Sequence, residues 1–187
     1  MKSYDLFQRS QIFDKSENWI WYSMNSIERG PNFDQRIGDT IQMLHLTIRW
    51  SCLMTNIPEG GSPLRLLVFY DQGSNGQTIE LRDVLQGNPE QPDPAERDPF
   101  FWSPINQFNI RRFTILYDKL KGPLSVDGNV GIGGVIDLNL YHPAVYDIST
   151  EDIRINTGGL YFAWAQAGGI INDQPFDFWA RLNYQDK

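Results

Sequence analysis

Leu44-His45-Leu46-Thr47-Ile48-Arg49-Trp50-Ser51-Cys52-Leu53-Met54 places a large apolar residue at every even position, with His45, Thr47, Arg49 and Ser51 between them. A period of two sends alternate side chains to opposite faces of an extended strand. Wound as a helix, the same apolar residues would scatter around the axis. The pattern predicts a long strand over 37–55. Leu44, Leu46, Ile48, Trp50, Cys52 and Met54 should enter a core, and the polar row should face solvent or a partner.

The same period recurs on either side. Ile136, Leu138 and Leu140 alternate with Asp137 and Asn139, and Phe176, Phe178, Ala180 and Leu182 alternate with Asp177, Trp179 and Arg181. Phe113, Ile115 and Tyr117 form a further row. Two runs, 64–70 and 160–165, are apolar on both faces, which requires a cover on each side: a sheet and a loop, or a sheet and another subunit. With segments near 4–13 and 18–26 the count reaches about eight strands. Gly60-Gly61-Ser62-Pro63, Gly73-Ser74-Asn75-Gly76, Gly122-Pro123 and Gly168-Gly169 supply the turns between them. The reading is an all-β, eight-stranded antiparallel jelly-roll sandwich, spanning 1–187 as one domain. One short helix, 78–86, should decorate a connection, and the proline-rich, acidic 86–99 reads as an exposed loop.

Composition narrows the function. The net charge of −7 argues against strong nonspecific binding to nucleic acid. A single cysteine, Cys52, cannot form a disulfide within the chain, and on the apolar row it reads as a buried thiol. The opening residues lack the pattern of a signal peptide, and no apolar run is long enough for a membrane-crossing helix. His45 and His142 have no partner at metal-ligand spacing, so no metal or cofactor is expected. Gly128 to Gly134 precedes a strand, whereas a phosphate-cradling loop follows one, so it reads as a connection or a close backbone approach. Asp71 and Asp118 each follow a tyrosine at an apparent strand end, where aspartate suits a turn; a calcium site or a carboxylate pair is the sharper alternative. No constellation points to catalysis. The best candidates for contact with nucleic acid are Lys2, Arg9, Arg111 and Arg112. Phe100, Phe101 and Trp102, hard to hide together in one subunit, are either a lid over the core or a subunit contact. The loops 28–36, 56–63, 72–77, 86–104 and 120–134 are the other candidate contacts.

The order of these pieces resembles a known family. Trp21 to Ile27 leads through Arg29-Gly30 to Gln35-Arg36-Ile37-Gly38 and then the long strand. Leu64 to Asp71, a Gly-Asn-Gly turn, Leu81 to Leu85 and Asn109 to Lys119 follow. Together they resemble the capsid proteins of small circular single-stranded DNA viruses, the circovirus- and cyclovirus-like group and its environmental relatives, over 18 to about 120. The resemblance implies an eight-stranded jelly roll, assembly of sixty copies into an icosahedral shell around single-stranded DNA, location in the virion and, during assembly, in the host nucleus. It implies no catalytic residue. Relatives usually begin with a basic arm, which is not found at Met1-Lys2-Ser3-Tyr4-Asp5. The alternative is a lectin-like, carbohydrate-binding jelly roll, for which aromatic richness would supply stacking surfaces.

Overall fold

The computed structural model describes residues 1–11, 19–54, 63–74, 79–87, 100–122, 130–147, 153–166 and 176–187. Of the expected loops, 56–63 and 86–104 therefore lie mostly outside the described residues, and 72–77 and 120–134 in part.

Among the described residues, nine strands form two antiparallel sheets. They are β1 (Lys2–Gln11), β2 (Trp19–Ser23), β3 (Thr40–Met54), β4 (Leu64–Asp71), β5 (Phe113–Lys121), β6 (Val130–Tyr146), β7 (Ile155–Thr157), β8 (Gly159–Gln166) and β9 (Phe176–Asp186). One sheet runs β1-β9-β3-β6-β7 and the other β2-β8-β4-β5. Apart from the three-residue β7, the pairing is nested: β1 with β9, β2 with β8, β3 with β6, β4 with β5. Nested pairs alternating between two sheets are the jelly-roll arrangement that the alternation and turns imply.

The main core lies between the sheets. Leu46, Ile48, Trp50 and Cys52 are buried there, opposite Leu66, Val68, Phe162 and Trp164. Trp164 stacks on Phe176 with ring centroids 4.4 Å apart, an arrangement that adds to the area it buries.

Leu44 departs from the expected row. The register of β3 against β9 shifts between Met43 and His45, leaving Leu44 as an extra residue on β3. A bulge of this kind exchanges the two faces of the strand. Ile41 and Met43, at odd positions, are therefore the buried residues before it, while Leu44 is only half-buried. Simple alternation cannot register a one-residue insertion.

The second expectation concerned the doubly apolar strands. All eight residues of β4 are buried. Leu64, Leu66, Val68 and Tyr70 face the main core, while Leu67 and Phe69 belong to a second one on the outer face of the four-stranded sheet. The chain itself covers that face, with Ile79, Val84, Leu85 and Phe101. These come from two segments, 79–87 and 100–112, joined where Asn106 N donates to the Val84 carbonyl (2.8 Å) and Gln86 N to that of Pro104 (3.0 Å). The expected helix is one turn, α1 (Leu81–Val84), opened by Glu80 N donating to the Asp83 carboxylate (3.1 Å). The molecule thus has three layers: five strands, four strands and a cover.

The bulge predicts unequal costs. Leu46→Ala should cost about 3 kcal/mol, as large-to-small changes in a packed core do. Leu44→Ala, two residues away, should cost less than about 1 kcal/mol. Urea denaturation of the two variants measures the difference.

Candidate assembly surface

The cover layer is fixed by one buried cation. Arg65 interrupts the apolar run of β4 and points to its outer face. Its Nε and Nη2 donate to Asp118 Oδ1 (2.9 Å) and Oδ2 (2.7 Å) on β5. Its Nη1 donates to the carbonyls of Phe101 (2.7 Å), Ser103 (2.9 Å) and Phe100 (3.2 Å). A buried guanidinium is tolerable only when its donors are satisfied in this way. The carbonyls wrapped around it set the main-chain turn at 100–103 and so decide where each aromatic points. Phe101 is buried in the second core, Phe100 packs partly against it, and Trp102 is left 65% exposed. The Trp102 ring stands edge-on to Phe101, with centroids 4.8 Å apart. A cleft of about 340 Å³ opens beside it, floored by Arg65 and bounded by Lys119 and Leu120 of β5. Of the three aromatics, Phe101 is therefore a lid over the second core, Phe100 packs partly beneath the surface, and Trp102 is exposed.

The same connection exposes more apolar side chains further on. Phe108 is 89% exposed and Ile110 62% exposed. Phe108 lies within a short 3₁₀ turn, Gln107–Asn109, and Ile110 directly after it; Asn106 caps the turn by accepting from Phe108 N (3.0 Å). Asn109 Nδ2 in turn donates to the Asp83 carbonyl (3.0 Å). Exposed apolar groups on a connection held by this many bonds form an ordered surface.

A second connection, 24–39, is built alike. Buried Arg36 donates to the carbonyls of Ile27 (3.2 Å) and Gly38 (2.7 Å) and lies 4.1 Å from the centre of the Tyr146 ring. Phe33 and Ile37 project from this connection into solvent. Arg36 is not distinguishable in sequence from a solvated arginine; for Arg65 the available signal is its place inside an apolar run.

The four candidate cations do not converge. Lys2 and Arg9 lie on β1, at the edge of the five-stranded sheet, while Arg111 and Arg112 lead into β5, at the edge of the other. Lys2 Nζ is bound to Asp186 (3.0 Å) and to the Gln35 carbonyl (2.7 Å). Arg112 makes a two-bond pair with fully buried Asp71, at 2.9 and 3.0 Å. Arg9 rests 5.5 Å from the centre of the Phe7 ring, and Arg111 is exposed.

The aspartates are also engaged. Asp71 accepts from Gly73 N (3.0 Å), the turn role expected of it, as well as from Arg112. Asp118 does not end a strand: it lies within β5 and pairs with Arg65. The two ends of the β4–β5 pair are therefore clamped by Arg–Asp pairs of opposite direction. Of the histidines, His45 Nε2 lies 3.0 Å from Asp137, and His142 stacks on Tyr70 at 4.4 Å. Burial lowers the pKa of His142. Cys52 is buried, and burial pushes its thiol up to about 12, out of reach of thiolate chemistry near neutral pH. Gly131, Gly133 and Gly134 belong to β6 itself, not to a loop before it. A Cβ on Gly133 would sit 2.9 Å from the Trp50 carbonyl, which is the close backbone approach considered above. Among the described residues, no group of three His, Cys, Asp or Glu could hold a metal ion, and no helix is long and apolar enough to cross a membrane.

No protein-family model and no curated protein sequence matches this chain.

Two outcomes follow for the pairs. Arg112→Ala should destabilise the fold by about 3 kcal/mol, because Asp71 keeps a buried charge without its partner; thermal and urea unfolding read this. Lys2→Ala should cost no more than about 1 kcal/mol at neutral pH. Burial tends to raise the Asp186 pKa, but Ile37 N and Lys2 outweigh it and hold the carboxyl below its ordinary value. A depressed carboxylate contributes stability above its unfolded pKa and loses it as the pH falls through the folded value. The deficit of Lys2→Ala should therefore shrink once the pH falls below the usual aspartate range, leaving only the loss of the bond to the Gln35 carbonyl.

Proposed function

We propose that this chain is a viral capsid protein whose copies assemble into a small icosahedral, T=1 shell around circular single-stranded DNA, and that it carries no enzymatic activity. The observation that carries the reading is the 100–112 connection. It is fixed to the sandwich by Arg65 and to the 79–87 segment of the cover by Asn106 and Asn109, yet presents Trp102, Phe108 and Ile110 to solvent. Ordered apolar groups outside two filled cores suit a surface that is buried on association. The resemblance to circovirus-like capsid proteins supports the same reading, because its ordered blocks fall on successive elements: β2, the 24–39 connection, β3, β4, α1 and β5. Jelly-roll subunits with such connections can meet in the symmetric contacts that close a shell. On this reading the protein resides in the virion and, during assembly, in the host nucleus.

The lectin-like alternative relied on strand-end aspartates for calcium. Asp71 and Asp118 are each committed to an arginine, so a calcium ion there would have to displace a two-bond ion pair. Of the residues considered for DNA contact, Arg9 and Arg111 remain candidates, while Lys2 and Arg112 serve the fold.

Purified protein should form particles visible by negative-stain microscopy and sediment far faster than a monomer. Trp102→Glu should retain a normal β-rich circular dichroism spectrum and unfold within about 1 kcal/mol of the parent, as exposed substitutions do, but should lose the particles. Sedimentation of the parent as a monomer over a wide range of salt, pH and concentration would overturn the reading and favour a binding module.

A further inference from the structure

β1 closes one end of the five-stranded sheet. Among the described residues it is bonded to β9 on one side and to no strand on the other. Such an edge offers a row of main-chain donors and acceptors to another strand, and proteins usually guard it with lysine, proline or brevity. The other edges conform. β7 has three residues and β2 five. β5 carries Lys119 and Lys121 and is out of step with β4 at Val68 and Phe69. β1 has ten residues, and its stretch from Asp5 to Arg9 has neither lysine nor proline. Pairing with β9 is regular from Lys2 to Gln8, and the register shifts only beyond it, between Gln8 and Gln11.

The side chains along that stretch show what the edge fits. Tyr4 and Leu6 pack on the main core, so Asp5 and Phe7 face outward. Phe7 is 56% exposed. Arg9 lies on the same side, with its guanidinium over the Phe7 ring. The outward order is thus an acid, an aromatic ring and a base, evenly spaced about Phe7. This order is its own complement when the strand is turned end for end.

We infer that β1 pairs antiparallel with β1 of a second copy about a twofold axis at Phe7, joining two five-stranded sheets into one of ten. The register sets Phe7 against Phe7 of the other copy and Asp5 against Arg9, twice. Other registers fail. An axis at Asp5 opposes two carboxylates, an axis at Arg9 opposes two guanidiniums, an axis at Leu6 sets Asp5 against the Phe7 ring, and an axis at Gln8 sets Asp5 against Gln11 instead of a base. Asp5 can accept from Arg9 of the second copy while bonded to Arg181 at 2.7 Å, since a carboxylate has four acceptor positions. Trp179 lies opposite Phe7 on β9, and Arg49 opposite Trp179 on β3. The aromatic rung therefore runs Trp179–Phe7–Phe7–Trp179 across the axis, with an arginine at each end. Lys2 is tied to Asp186 and to the Gln35 carbonyl, so the contact is confined to Asp5–Arg9. A twofold contact of this kind is isologous and closes on itself. As a shell contact it rests on the capsid reading; as a dimer contact it stands without it.

Cross-linking reads the register directly. In the full chain the native thiol is buried and silent. Phe7→Cys, under mild oxidation, should give disulfide-linked dimers on a non-reducing gel, because a residue on the axis meets itself. Asp5→Cys should link at least about tenfold more slowly, and the double variant Asp5→Cys, Arg9→Cys should link readily. Particles without a link at position 7, or with equally fast linking at position 5, would overturn the contact and leave the shell reading intact. Linked dimers without particles would support the contact and overturn the shell. Neither dimers nor particles would overturn both. Hydrogen exchange on the unaltered protein gives a second measure: among residues 5–9, the amides directed away from β9 should be protected at high concentration and lose that protection on dilution.

Discussion

A strand with no exposed residue imposes the plan of this molecule. β4 is buried along its whole length, so each of its faces must find a cover, and the two covers differ. The five-stranded sheet covers one. The other is covered by two connecting segments, which lack the continuous bonding of a sheet and must be fastened piece by piece. Arg65 and Asp71, at opposite ends of the outer face of β4, do much of this. The first gathers three carbonyls of the cover and Asp118; the second fixes Arg112 at the point where the cover returns to the sheet. Charge is concentrated at the rim of an apolar patch, where each ion has enough polar partners to offset its loss of water.

How much of this could be read from the chain depends on the range of the interaction. Alternation in β3, β6 and β9 is a local pattern, and it yields the sandwich, because a strand that buries one face needs a second sheet. The doubly apolar β4 and β8 announce a third layer but not its source. A loop of the same chain and a neighbouring subunit present the same need, and only the contacts of Phe101, Ile79 and Leu85 decide for the loop. The bulge at Leu44 is hidden because leucine suits either face. Asp118 looks like a strand end because the apolar residues stop there, yet the backbone continues to Lys121 with polar side chains outward.

The candidate surface was legible only as an excess. Three consecutive aromatics signal more apolar area than one subunit can use, and Trp102 is the remainder once Phe101 is buried. Phe7 carried no such signal, since one aromatic in an alternating strand is ordinary. Its significance comes from a neighbour two positions away on each side and from the position of β1 in the sheet, which only the topology supplies. The same holds for Lys2 and Arg112. A basic residue near the start of a chain or in an Arg-Arg pair suggests phosphate, but long-range carboxylates on Asp186 and Asp71 had already claimed them.

The nested order of strands has a consequence for synthesis. Asp5 meets Arg181 across 176 positions of chain, so β1 leaves the ribosome long before the strand that completes its ladder. At translation rates of about 5–20 residues per second that interval is roughly ten to thirty-five seconds. Throughout it β1 has two open edges instead of one, in a nascent polypeptide whose other strands emerge to pair among themselves. Polysomes carrying many such chains bring these edges close together. The charged residues of β1 then act as a solubility tag on the waiting strand, and the residues that favour pairing between finished subunits are the ones that must resist it while the chain is still being made.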